Sequence, residues 1–187
     1  ELKPYRSEWI IASKRPAITK KEMKESINKS LKRIGVDCIE LYQIHHLKSK
    51  EMLDIALSKN GAYRALKEAQ KEGKIKFIGI TGHNLETLLS ALKTGFFDTV
   101  MINFNFKEQE AAKEILPFCQ KENIGVIVMK PLAGGTFQNA ASAIRFCLSF
   151  PSISAVIPGI CDERELRKDV IEVLENPEFT KEDEKKL

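Results

Sequence analysis

Residues 73–95, GKIKFIGITGHNLETLLSALKTG, hold one strand, one turn and one helix. Ile75, Phe77, Ile78 and Ile80 make residues 75–80 an apolar run. It is too short for a helix and rich in β-branched and aromatic side chains. Thr81, Gly82 and His83 then form a polar turn. At Asn84 a side-chain oxygen can accept from the free amides that open a helix. Leu85, Leu88, Leu89 and Leu92 recur at helical spacing, and Gly95 supplies the stop.

The same unit repeats in both directions. Residues 9–12, 38–44, 99–103, 125–129 and 155–157 are further short apolar runs, which makes six expected strands with 75–80. Both faces of these runs are apolar, as in parallel strands covered on both sides. A helix is expected from Thr19, where Glu22 follows at capping-box spacing, with Met23, Ile27, Leu31 and Ile34 inward and Gly35 as its end. A second spans residues 61–72, with Ala62, Leu66 and Ala69 inward and Gly73 as stop. Residues 108–122 are expected to form one helix kinked at Pro117. Ala140, Ala143, Ile144, Cys147 and Leu148 mark another. The last opens at Asp162 and Glu165 and carries Leu166, Val170, Val173 and Leu174.

Strand and helix alternate every ~25–35 residues, as right-handed βαβ units do. A doubly wound sheet and a parallel barrel both fit. Doubly wound nucleotide folds carry G-x-G-x-x-G or a P-loop after the first strand, and neither occurs here. Instead, polar or loop-forming residues follow nearly every strand: Lys14, then His45 and His46, Thr81 and His83, Asn103 and Asn105, Lys130, and Pro158 with Gly159. In a parallel barrel such strand ends converge on one face. The expected fold class is therefore α/β, a parallel barrel with a doubly wound sheet as the weaker alternative, and residues 1–187 are read as one domain.

The 187 residues are 43% hydrophobic and 30% charged, which excludes a disordered chain. Thirty Lys and Arg against 26 Asp and Glu give a net charge of +4, spread without a dense basic block. No nucleic-acid partner is expected. No apolar run approaches the ~20 residues of a membrane helix, so no membrane partner is expected. Residues 1–6 do not read as a signal peptide. The four cysteines, Cys38, Cys119, Cys147 and Cys161, are widely spaced and read as reduced residues of a cytoplasmic protein.

Lys14 follows an apolar run, so it would enter a barrel mouth, lower the pKa of a neighbouring acid or act as a Schiff-base amine. By alternation His45 points inward with Gln43 and Leu41, where a ring N–H could donate to a substrate oxygen. Two adjacent histidines without a carboxylate cluster do not make a metal site. Gly134-Gly135 and Pro158-Gly159 follow the last two strands, where barrels often hold phosphate.

Several segments, in order, resemble the aldo/keto reductases. Ile10-Ile11-Ala12-Ser13-Lys14 resembles the strand bearing the family's catalytic Lys. Residues 26–45, SINKSLKRIGVDCIELYQIH, resemble the helix and strand that lead to its catalytic His. Residues 73–81 resemble the G-K-I-R-x-I-G-x-S segment. Residues 129–135, MKPLAGG, and 156–159, VIPG, resemble two late cofactor loops.

The resemblance implies a (β/α)8 barrel that transfers a hydride between NADPH or NADH and an aldehyde or ketone, a small-molecule substrate. It implies Lys14 and His45 as catalytic residues. Thr81, Gly82, Asn103, Met129, Lys130, Pro131, Leu132, Gly134, Pro158, Gly159 and Arg164 are its implied cofactor residues. Thr81 stands where the family has a Ser on the nicotinamide carboxamide, and Met129 where a Tyr often stacks on the ring. Glu165 departs from the family's 2′-phosphate pattern, which leaves NADP and NAD both open. With six units counted where the barrel has eight, the first two, with the family's Asp and Tyr, are expected to lie outside this chain. No iron–sulfur appendage is expected within it. The alternative function is a non-catalytic barrel of this type that binds a nucleotide or a protein partner.

Overall fold

The structure, a computed structural model, describes residues 3–187. Glu1 and Leu2, on which the reading of residues 1–6 partly rests, lie outside them. Backbone contacts divide the chain into two compact units, Glu1–Thr99 and Val100–Leu187.

Unit one opens with a 3-10 turn, Lys3–Glu8. It continues through β1 (Ala12–Arg15), α1 (Lys20–Ile34), β2 (Ile39–Ile44), α2 (Lys50–Leu57), α3 (Ala62–Lys71), β3 (Ile75–Thr81) and α4 (Leu85–Leu92). β2 pairs in parallel with β1 on one side and β3 on the other. Every residue of β2 is buried. The core gathers Met23 and Ile27 of α1, Leu66 of α3, Leu88 of α4 and the strand residues Ile39, Tyr42, Ile44, Ile78 and Ile80.

Local chemistry explains the helix ends. The Thr19 and Glu22 side chains each accept the other's backbone amide, a complete capping box. Gly35 closes α1 at φ 75°, donating to the Leu31 carbonyl. The Asn84 oxygen accepts from the Thr87 amide at 2.8 Å and starts α4. Ile34, expected inward, is exposed.

Two differences from the sequence reading matter in this unit. The first strand runs over Ala12–Arg15, not residues 9–12, because its ladder is set by the buried residues 41–44 of β2. Trp9 and Ile10 stay exposed. Lys14 is thus inside the strand rather than after it. A further helix, α2, stands between β2 and α3, where Ser49 caps it and Leu53 and Ala56 are its buried side.

In the second half, β4 (Thr99–Asn103), β5 (Gly125–Met129) and β6 (Ile153–Ile157) alternate with α5 (Ile115–Lys121), α6 (Ala140–Leu148) and α7 (Glu163–Glu175), and α8 (Lys181–Lys185) follows. β5 and β6 are parallel. The helix expected over residues 108–122 divides into a 3-10 turn, Glu110–Ala112, and α5. Pro117 does not kink it. The proline sits in the first turn of α5, where its missing N–H would have had no helical partner. Phe104, Phe146 and Phe150 pack together, with the Phe104 ring 5.7 Å from Phe146 and 4.9 Å from Phe150. Across the chain, six parallel strands alternate with helices.

Cys119 and Cys147 are buried, and desolvation pushes their thiols up to about 11 and about 12. Cys38 is half-buried, Cys161 is exposed, and all four are free. Among the described residues, no helix is long and apolar enough to cross a membrane.

Candidate active site

In unit one the strand register builds the site. Lys14 of β1 pairs with Gln43 of β2, and Gln43 pairs with Gly79 of β3, so these three form one row. One row on, Arg15, Ile44 and Ile80 are paired. His45 and Thr81 come next, at the carboxyl ends of adjacent strands. The His45 amide donates to the Arg15 carbonyl at 2.9 Å, which extends the ladder to His45.

Thr81 organises the turn after β2. Its Oγ1 lies 3.0 Å from His45 Nδ1 and accepts the His46 amide at 2.9 Å. Its carbonyl accepts the Leu47 amide at 2.8 Å. These bonds hold His46 at φ 62°, a left-handed conformation few non-glycine residues adopt. The His46 ring then meets the His83 ring edge-on at 5.2 Å and lies 6.0 Å from His45. Gly82 is buried beneath this turn. A Cβ there would come within 2.7 Å of the Leu47 carbonyl oxygen, which only glycine avoids.

The electrostatics follow from this crowding. Burial holds the His45 pKa below its usual value, and the charges of Lys14, His46 and His83 lower it further. Both effects favour the neutral ring. Nearby, both polar atoms of the Gln43 amide and the Thr99 hydroxyl are buried with no hydrogen-bond partner among the described residues.

Lys14, His45, Thr81 and Gly82 thus fall within one small region of unit one. His83, which the sequence reading placed with Thr81 after the third strand, joins it through His46.

The remaining candidates lie in unit two. Asn103 ends β4, and its Oδ1 is buried without a partner. Met129 ends β5. After it, Lys130, Ala133, Gly134 and Gly135 all take positive φ, at 57°, 47°, 70° and 91°. Pro131 is buried, Leu132 is half-buried, and Lys130 and Gly134 are exposed. Asn105, read from the sequence with Asn103 at the end of its strand, is fully buried and donates to the Lys130 carbonyl at 3.2 Å. It thereby fixes the start of this loop. Pro158 and Gly159 follow β6. The Arg164 side chain is 94% exposed and lies 3.6 Å from the Asp162 carboxylate. Glu165 turns back to accept the Cys161 amide at 2.6 Å. Among the described residues, no group of three or more His, Cys, Asp or Glu side chains could hold a metal ion.

Comparison with known proteins adds to this geometry. A model of the aldo/keto reductase family matches residues 2–142. A Pseudomonas aeruginosa protein assigned as an aldo-keto reductase matches with TM-score 0.78 and 25% identity, over 93% of this chain and 69% of that one. An aldo-keto reductase from a Medee basin deep-sea metagenome matches with TM-score 0.76 and 25% identity, over 97% and 70%. The holo form of a Bacillus halodurans aldo-keto reductase matches with TM-score 0.81 and 22% identity, over 97% and 72%, a likeness of fold. The six strand-helix units correspond to part of a (β/α)8 barrel.

Proposed function

We propose that this chain, which belongs to the aldo/keto reductase family, forms a single domain of a cytoplasmic oxidoreductase that transfers a hydride between NADPH or NADH and a small aldehyde or ketone. The observation that carries this reading is the grouping of Lys14 on β1, His45 directly after β2 and Thr81 at the end of β3, in the order the family motifs require.

The chemistry of these residues suits the reaction. A neutral His45 offers a ring N–H to a carbonyl oxygen and holds it in place as negative charge develops there. Lys14, half-buried and two rows below, adds positive charge on the same side of the ladder. It favours the ionised form of an acid placed next to it.

A nicotinamide dinucleotide, when bound, supplies the hydride. The residues fit such a group on two observations. The buried, unpartnered Asn103 Oδ1 is an acceptor ready for an amide N–H. The left-handed backbone at Lys130, Ala133, Gly134 and Gly135 leaves the exposed glycines where phosphate oxygens can approach. Arg164, exposed beyond Gly159, is the cation available for a 2′-phosphate.

A titration of the purified protein following nicotinamide fluorescence tests the proposal. Saturable binding of NADPH or NADH is expected. In a carbonyl-reduction assay, Lys14→Met and His45→Ala are expected to lower turnover at least ~100-fold, in the range of lost general-acid contributions, with cofactor affinity held within a few fold. Binding of neither cofactor would overturn the reading.

A further inference from the structure

The Thr81 hydroxyl bonds two groups, and counting its protons decides which nitrogen of His45 carries hydrogen. The hydroxyl has one proton and two lone pairs. The His46 amide can only donate, so it takes one lone pair at 2.9 Å. The second neighbour is His45 Nδ1 at 3.0 Å. If Nδ1 carried the ring proton, Thr81 would accept twice and its own O–H would need another acceptor. Thr81 is only 1% exposed, and among the described residues its hydroxyl has no third partner. A buried O–H left unmade is costly. The one arrangement that satisfies every group has Thr81 donating to Nδ1.

We propose that Thr81 is a positioning residue that holds His45 in the tautomer protonated on Nε2, aiming that N–H at the substrate carbonyl oxygen. The role rests on the reductase reading above and deepens it. Thr81 acts here through His45. One lone pair of its hydroxyl stays unused, so the contact with a carboxamide that the family resemblance implies for this position is compatible. Burial, with Lys14 and the other two histidines nearby, lowers the ring's pKa and favours its neutral form, so a tautomer rather than an imidazolium is being selected.

The tautomer is read without cofactor or substrate. Long-range 1H–15N correlation spectra of histidine-labelled full chain at about pH 8, above the usual histidine pKa, distinguish the protonated nitrogen from the accepting one. With three histidines in the chain, His45 is assigned by the signal lost in His45→Gln. The expected result is a protonated Nε2 and an accepting Nδ1. Thr81→Val should convert this to a mixture, and Thr81→Ser should restore it. A ring protonated on Nδ1 in the wild type, or a tautomer unmoved by Thr81→Val, overturns the proposal. Should the valine variant fail to fold, the wild type still decides. The Thr81 hydroxyl proton must exchange slowly and correlate with Nδ1, and a correlation with any other acceptor refutes it. Failure of carbonyl reduction with the expected tautomer intact would count against the reductase reading alone.

Discussion

Gly79 is glycine because the Thr99 hydroxyl and the Gln43 side chain occupy the space a methyl group would take. A Cβ on Gly79 would overlap the Thr99 oxygen and lie 3.0 Å from Gln43 Cγ. Gly79→Ala is expected to destabilise the protein by about 1–3 kcal/mol, as overpacking does. Thr99→Ala removes the overlapping oxygen, so the double variant should lose less than the sum of the singles. Urea denaturation of the four proteins in the cycle measures this, and strict additivity would refute the packing account. The sequence showed which residue types stand at or near the strand ends, which is how Lys14, His45 and Thr81 were singled out. It did not show the Thr81–His45 hydrogen bond, because that contact depends on the register of β2 against β3. Nor did it show that Gln43 is buried without a partner, since a glutamine in an apolar strand reads the same whether or not its amide is bonded.

At the scale of elements, the helix caps were the most legible feature. Thr19, Asn84 and Asp162 each accept the amide their spacing called for. The faces of α7 were not legible. Its stripe of Leu166, Val170 and Leu174 is exposed, while Asp169 is buried with Oδ2 unpartnered. Periodicity names the apolar side of a helix but not the neighbour it meets. Burial pushes the Asp169 pKa up, and the nearby charges of Glu165 and Glu172 add to the shift, against a smaller effect of Lys168. A carboxylate with a raised folded-state pKa favours the fold when protonated. That contribution is present below its unfolded pKa and is lost as pH rises through the folded value. Asp169→Asn is therefore expected to raise the melting temperature at pH 7 and to lose that advantage as pH falls towards 4. Thermal unfolding across this range checks it, and an advantage that grows on acidification would exclude the charge as the cause.

For the molecule as a whole, the alternation of strand and helix carried the fold class, because six repeats of one pattern leave few architectures. The tie that holds the last helix was beyond the sequence, since Arg145 and Asp183 lie far apart and each resembles a surface charge. In unit two Arg145 and Asp183 form a buried ion pair at 2.5 Å, and Asp183 also accepts from the Ser142 and Thr180 hydroxyls. The Arg145 guanidinium, with these hydroxyls and the Thr180 amide, outweighs desolvation and holds the Asp183 pKa well below its usual value. Asp183→Ala would leave a guanidinium buried and unpaired, and a loss of about 3–5 kcal/mol is expected. A change under about 1 kcal/mol in denaturant unfolding would show that the pair is solvated and weak.

The same pair sets an order of events during synthesis. Arg145 leaves the ribosome 38 residues ahead of Asp183. Until Asp183 emerges, that guanidinium has only the Ser142 hydroxyl and the Glu172 carbonyl to offset its burial, so the settled position of α6 is less favourable. Phe146, the next residue, is held less firmly beside Phe104 and Phe150 over the same interval. A nascent chain paused before Asp183 therefore displays an aromatic helix that the finished protein hides, and that is the stage at which a chaperone would find its grip.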